Sequence, residues 1–286
     1  MDFESINQKR SSCAKLVVFG ILGIAVGFIL FVIAGNIPAL GIIAAIAGAI
    51  TAGIGGARFS ALSKDFKNTY LKGMIEKTFE GGQYFPNKGI EANRVYATNV
   101  MKKADRFHSE DLIKGSIEGV DFETCDLKLE ERHVRHTKNG TQVYYVTFFL
   151  GRFFEFEFPK EFKSQVIVTE GSIFTFFSKL KKIELESVEF NKKFKTYTTD
   201  EHDAFYILTP HLMESILTLE RTNPGTVSLS FVGKKLSIAI NNNRNTFELS
   251  LFKKVDESTV RQLERDLSVI KEIVMELKLN RNIFTY

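Results

Sequence analysis

"LVVFGILGIAVGFILFVIA" (16–34), "GNIP" (35–38) and "ALGIIAAIAGAITAGIGG" (39–56) form a stretch with no Asp, Glu, Lys, Arg or His before Arg58. A bilayer's hydrocarbon core takes roughly 20 apolar helical residues per crossing. The first segment supplies nineteen and the second, richer in Ala and Gly, eighteen. Between them, Gly35-Asn36 can close a helix in the left-handed region and Pro38 suits the first turn of the next. The stretch therefore predicts a hairpin: transmembrane helix 16–34, an external turn at 35–38, and transmembrane helix 39–56. A cleaved leader would have a shorter apolar centre and a clean small-residue site after it. A buried globular hairpin would have to hide forty uncharged residues in a chain of 286.

The flanks give an orientation. Lys9, Arg10 and Lys15 precede the first segment, Arg58, Lys64 and Lys67 follow the second, and the turn has no positive charge. The positive-inside rule then places both termini in the cytoplasm of a multi-pass plasma-membrane protein. Residues 1–15 read as a cytoplasmic tail, and 57–286 as cytoplasmic.

Small residues within the spans call for close backbone approach, because lipid removes the hydrophobic drive between helices. Gly23 and Gly27 form G-x-x-x-G, and Gly41, Ala45, Ala49 and Gly53 recur every four residues. Packing within the hairpin is the first meaning of these ridges; association between copies, giving a homo-oligomer, is the second.

Past Gly56, Phe59, Leu62, Phe66, Tyr70 and Met74 make one helical stripe, so residues 57–80 read as a juxtamembrane helix. Gly81-Gly82 and Pro86 then open a domain spanning 81–286. Its pattern predicts a helix over 90–107, a capped turn at "SEDLIKG" (109–115), and strands at 121–134 and 141–150 joined by a turn at Asn139-Gly140. "FFEFEFPKEF" (153–162) alternates, with Phe154, Phe156 and Phe158 on one face and Glu155 and Glu157 on a wet one. A helix from Ser172 to about Leu180, strands over 183–198, and a helix begun by Thr209-Pro210 follow. Val227–Phe231, Leu236–Ile240 and Phe247–Leu251 read as a three-strand meander turning at Gly233-Lys234. A final helix over 256–279 presents Val260, Leu263, Leu267, Ile270, Val274 and Leu277 as a heptad seam. The fold class is α+β: antiparallel sheet with helices behind a helical hairpin.

Composition narrows the function. After residue 56 the chain holds 35 basic and 32 acidic side chains, too even for a nucleic-acid surface. Two cysteines, Cys13 and Cys125, give no disulfide framework and fit a reducing compartment. Cys13 stands where a lipid could be attached, or where a small residue simply packs. There is no phosphate-binding G-x-x-x-x-G-K-[ST] and no G-x-S-x-G elbow. His133 and His136, with Glu130 and Glu131 just before, are the metal candidates; on a strand their odd spacing separates them onto opposite faces. Glu155 and Glu157 share a face and could act as an acid–base pair, though alternating Glu on a wet strand face needs no such role. No catalytic residue and no cofactor is predicted.

Three stretches carry a family resemblance: "VEFNKKFKTYTTDEHDAFYILTPHLMESILTLE", "GTVSLSFVGKKLSIAI" and "NTFELSLF", with "FLGRFFEFEFPKEFKSQVIV" upstream. Over about residues 110–252 the chain resembles the bacterial DUF3137 family of uncharacterised proteins, whose members often carry an N-terminal pair of apolar segments. The terminal helix lies outside these blocks. The resemblance implies no activity, cofactor or site residue. Genomic neighbourhood in the family implies a LemA-like membrane protein as partner. The expected function is a membrane-anchored binding or scaffolding domain that self-associates or holds a partner; the alternative is a membrane-tethered, metal-assisted hydrolase using His133 and His136.

Overall fold

The computed structural model describes residues 3–33, 38–138, 140–170 and 180–279. The expected Gly35-Asn36 turn, Asn139 and the helix after Ser172 fall outside these residues. The chain divides into two compact units: residues up to Met74 with Phe247–Glu264, and Ile75–Thr246 with the chain from Arg265 on. The expected boundary near residue 81 thus omits a return of the chain, residues 247–264, to the first unit.

In the first unit, α1 (Phe3–Ile33) and α2 (Pro38–Phe66) are long and apolar enough to cross a membrane. Helix begins at Phe3, so most of the expected tail is the first turns of α1. The two helices pack antiparallel through glycine. A Cβ on Gly20 would stand 2.4 Å from the Ala52 nitrogen, and one on Gly27 2.5 Å from that of Ala45. Gly41 meets Phe31 and Gly48 meets Ile24 just as closely.

One buried series runs through Ile6, Cys13, Gly20 and Gly27 on α1 and through Gly41, Gly48, Gly55 and Leu62 on α2, with Arg10 and Phe66 buried beside it. That is a seven-residue period on both helices, where the sequence suggested four. A 3.5-residue repeat keeps one seam in register between two helices that coil left-handedly, as in coiled coils, whereas a four-residue ridge drifts off it. Ala49 and Gly53 accordingly lie on the exposed face, and a Cβ on Gly53 would meet nothing within 4 Å. Cys13 is a buried seam residue.

Below the hairpin the helix continues through a π-helical turn (Lys67–Leu71) into α3 (Lys72–Thr78). The extra residue per turn moves the buried side from the predicted Tyr70 and Met74 to Leu71 and Ile75. Tyr70 instead stacks on Phe66, ring centres 5.3 Å apart, and meets Phe3 edge-on.

The predicted third strand at 247–251 forms no strand and has no strand partner among the described residues. Its alternation is real, since Phe247 and Leu249 are buried. The backbone from Leu251 to Val255 is held by α1 side chains: Asn7 donates to the Val255 carbonyl (2.6 Å) and accepts from the Val255 N–H (2.9 Å), while Arg10 donates to the Leu251 carbonyl (2.7 Å). One asparagine amide thus reproduces the pair of bonds a neighbouring strand would make.

Among the described residues, the second unit is built on a seven-stranded antiparallel sheet. Its strands are β1 (Glu80–Phe85), β2 (Arg106–Ile117), β3 (Val120–Thr137), β4 (Gly140–Glu170), β5 (Lys181–Ile183), β6 (Phe194–Thr198) and β7 (Thr226–Asn241). The order is β1-β2-β3-β4-β6-β5, with β7 on the other edge of β4. The long β4 pairs first with β3 and then with β6, and β7 accompanies it over both parts. Gly233 does not turn a hairpin. It sits at φ +57 opposite a bulged stretch of β4, so both strands bend together and stay paired. Ser228, Ser230 and Ser237 are buried, as are Leu229, Phe231 and Ile238 on the other side of the strand, because both faces of β7 are covered.

Other local readings give way to tertiary packing. The "SEDLIKG" turn is a bulge within β2: Asp111 adopts φ +57, and its buried carboxylate accepts from Tyr84. Only Ala92–Ala97 (α4) of the 90–107 helix forms. Asn99, at φ +58, closes the segment, and Val100 and Met101 drop into the core with Val95, Cys125, Leu127 and Phe153. Residues Val188–Lys193 are a helix, α5, capped by the Ser187 hydroxyl, rather than strand. After α6 (Glu201–Ile207), α7 (Pro210–Thr222) begins as predicted, with Thr209 Oγ1 accepting from the Leu212 N–H. The last helix, α8 (Glu257–Glu276), buries Leu263, Leu267, Ile270 and Val274, joined by Ile273, and Leu277 just beyond it is buried too.

Candidate functional site

Within the second unit, the sheet face that carries Cys125, Leu127 and Phe153 changes character along β3 and β4. Two residues on, Glu123 and Glu155 stand directly opposite each other across the strand pair, with Ser237 of β7 beside Glu155. Like charges so placed repel, and three cations gather on them. Arg94, from α4, bridges both carboxylates, pairing with Glu155 and at 2.8 Å with Glu123. Lys235 also pairs with Glu155, and Lys114 lies 2.6 Å from Glu123. The predicted wet strand face is therefore not wet at Glu155, which is only 6% exposed. Burial would raise the Glu123 pKa, but the hydrogen bond from Lys114 and the Arg94 charge outweigh it and hold the carboxyl below its usual range.

This network floors an open cavity of about 690 Å³ whose rim includes Glu80, Gln83, Asp121 and the exposed Glu157. Glu155 and Glu157 do reach one cavity, yet in different states: one neutralised by two cations, the other at the rim. The groove presents both signs of charge, each carboxylate of its floor already held by cations.

The opposite face of the sheet buries a second polar cluster. Asp126, 3% exposed, lies 3.4 Å from the Arg152 guanidinium and accepts from the Thr246 N–H at 2.5 Å. Arg152 donates to the Asp266 carbonyl (2.6 Å), and Arg244 reaches the Asp266 carboxylate (3.3 Å). Burial pushes the Asp126 carboxyl up to about 6 against the pull of Arg152. Cys125 is fully buried, and burial pushes its thiol up to about 12, far from a reactive thiolate. Neither cluster was legible in the sequence, because Arg94, Lys114, Glu123, Glu155 and Lys235 are spread over more than a hundred residues.

His133 and His136 lie on a different feature. Beyond Glu130 and Gly151, β3 and β4 pair only with each other among the described residues, forming a two-stranded arm. The imidazoles point to opposite faces, as their spacing predicts. His133 stacks on Tyr144 at 5.5 Å and lies 3.7 Å from Glu131, while His136 bonds Thr141 at 3.0 Å. They do not converge. The arm leaves Val134, Val143, Tyr144 and Val146 exposed, and Arg106 stacks over the Tyr145 ring at 3.3 Å near its base.

The architecture prompts comparison with known proteins. Residues 147–279 match the family model described as "Protein of unknown function (DUF3137)". This segment is similar to the DUF3137 family. It begins within β4 and runs through α8, so the DUF3137 match includes the terminal helix that the resemblance had left out and excludes residues 110–146, which it had included. The arm, the charged groove's Arg94, Lys114 and Glu123, and the helical hairpin lie largely or wholly ahead of the DUF3137 match. No curated protein matches the chain. Among solved structures, a crystal structure of the mycobacterial trehalose monomycolate transport factor A, TtfA, shares 8% identity at a TM-score of 0.37, over 75% of this chain and 95% of that one. A likeness that faint carries no argument.

Proposed function

We propose that this protein is a membrane-anchored docking platform. The helical hairpin holds it in the bilayer with both termini cytoplasmic, and the second unit offers the β3–β4 arm to a protein partner. One observation carries the docking half: a ribbon whose outer edges have no strand neighbour among the described residues displays Val134 paired with Val143 on one face and Tyr144 and Val146 on the other. Free strand edges and exposed apolar pairs are what β-augmentation uses. Arg132, Arg135 and Lys138 lie among these residues, so the partner surface is apolar at its centre and acidic around it. The family resemblance makes a LemA-like membrane protein one candidate for that partner, and a second copy of the chain another. The anchor half rests on two apolar helices and the positive flanks.

Photo-crosslinking tests this in intact cells, with a benzophenone amino acid at Tyr144 and a control at Glu184 away from the arm. A discrete adduct from position 144 that disappears with Val134→Asp and Val143→Asp supports the reading. No adduct, or one shared with the control, overturns it. Thiol labelling of a cysteine appended after Tyr286 tests the orientation separately.

A further inference from the structure

Within the first unit, residues 250–256 form an arc clamped to α1 by Asn7 and Arg10. At its crest Phe252 is 65% exposed, although the clamp holds its neighbours Leu251 and Val255 in place. Phe252 closes one side of a cleft of about 250 Å³ along α1, whose other walls include Arg10, Ser11, Lys15, Val18 and Phe19. Phe252 is more exposed than Tyr144, Phe205 or Tyr206. Lys15 lines the cleft with this ring, and Lys253 and Lys254 follow the ring directly in the chain; all three lysines are exposed. The nearest acid in the loop, Asp256, is committed elsewhere, accepting from the Ser258 and Thr259 N–H groups at the start of α8.

The level of the cleft on α1 matters. Lys15 is the last charge before the uncharged run, and Phe19 lies one turn inside it, exposed with Val18. From Arg10 to Phe19 the helix rises about 13 Å. That is enough to cross a headgroup layer and enter the acyl region. The cleft is therefore basic at its polar end and aromatic at its apolar end.

We infer that the Phe252 cleft is a binding site for an anionic phospholipid on the cytoplasmic leaflet. The lipid phosphate sits among Arg10, Lys15, Lys253 and Lys254, and an acyl chain runs between Phe252 and Phe19. This rests on the proposed anchoring of the hairpin and adds a specific lipid contact to it. A buried arginine whose guanidinium already fixes the loop carbonyl, two exposed lysines beside a protruding ring, and continuity with the lipid-facing surface of α1 favour a lipid over a soluble anion.

The chain has no tryptophan, so Phe252→Trp introduces a single reporter. The full-length variant is reconstituted into phosphatidylcholine vesicles containing phosphatidylglycerol, with bromine carried near the glycerol end of one lipid or the other. Expected is blue-shifted indole emission from position 252, quenched several-fold more by brominated phosphatidylglycerol than by the same fraction of brominated phosphatidylcholine. Lys253→Gln with Lys254→Gln should cut that preference by roughly threefold to tenfold, since each lysine near an anionic surface contributes at most about a factor of five. Excess inorganic phosphate should not reverse it; reversal would show a free-anion site and overturn the assignment. Equal quenching by both lipids, or water-like emission untouched by either, also overturns it. A second reporter, Phe28→Trp at mid-span, separates the two hypotheses. Quenching at position 28 by deep bromines, without lipid preference at position 252, defeats the lipid site alone. An indole at position 28 that deep bromines leave unquenched defeats the anchoring and the site with it.

Discussion

Arg94→Met isolates the electrostatics of the charged groove, because methionine keeps much of the stem and removes the guanidinium. The wild-type side chain joins two carboxylates that face each other across β3 and β4. Its bond to Glu155, whose side chain is 6% exposed, belongs to the class of buried charged hydrogen bonds worth about 1.5–3 kcal/mol. Arg94 itself is 39% exposed and solvent screens it, so the lower end applies. The bond to Glu123 adds about 0.5 kcal/mol on the scale of exposed pairs. Lys235 and Lys114 remain to hold the two carboxylates, which keeps the total near about 2 kcal/mol rather than the roughly 3–5 of an abandoned buried charge. For a unit of this size, that lowers the melting temperature by roughly 4–8 °C.

The sharper readout is a cycle with Glu123→Gln. In the wild type this change removes an attractive partner and destabilises. In the Arg94→Met background it removes a repulsive one, and should be neutral or stabilising, a coupling of about 1–2 kcal/mol. Full-length protein in detergent micelles, unfolded by urea at neutral pH and followed by tyrosine emission, measures all four corners. Additive effects within about 0.3 kcal/mol would refute the bridging role of Arg94. The Glu123 pKa is held low in the folded state, so its contribution is present at neutral pH and fades as pH falls through the folded value.

Asp126 behaves with the opposite sign: its folded pKa of about 6 lies above the ordinary value of 3.8. Its contribution is therefore fully present below pH 3.8 and lost as pH rises through about 6, roughly 3 kcal/mol over the window. The unfolding free energy of the wild type relative to Asp126→Asn should fall by that order between about pH 4 and 7, and a pH-independent difference would contradict the burial argument. In the hairpin, Gly27→Leu drives a side chain into the Ala45 backbone, whereas Gly53→Leu meets open space. Disulfide crosslinking between cysteines placed at Ile24 and Ala45, both beside the glycine seam, should show it opened by the first change and left intact by the second. Equal effects would argue against the seven-residue seam.

Much of this was written into local chemistry. The charge-free run with Pro38 at its second start, Thr209-Pro210 capping α7, and the apolar seam of α8 are each decided within a few turns of helix. Their spacing alone selects the face that must leave water. The phenylalanine alternation of 153–158 likewise marks strand. What sequence could not decide was the fate of positions where a local preference competes with a distant partner. "SEDLIKG" looks like a turn because Ser109 can cap it and Gly115 can close it. It becomes a bulge in β2, where Asp111 takes φ +57 and Tyr84, 27 residues earlier, supplies the partner for the Asp111 carboxylate.

Residues 247–251 alternate like a strand, but the carbonyl of Leu251 and the N–H of Val255 just beyond find side chains of α1, about 240 residues away, instead of a neighbouring strand. Glu155 reads as solvated from its own strand, and only the arrival of Arg94 and Lys235 makes its burial tolerable. Periodicity says which side of an element is apolar. It is the third dimension that decides what meets the other side, because desolvating a charge or a peptide group is tolerated only where a partner of the right kind has been brought to it.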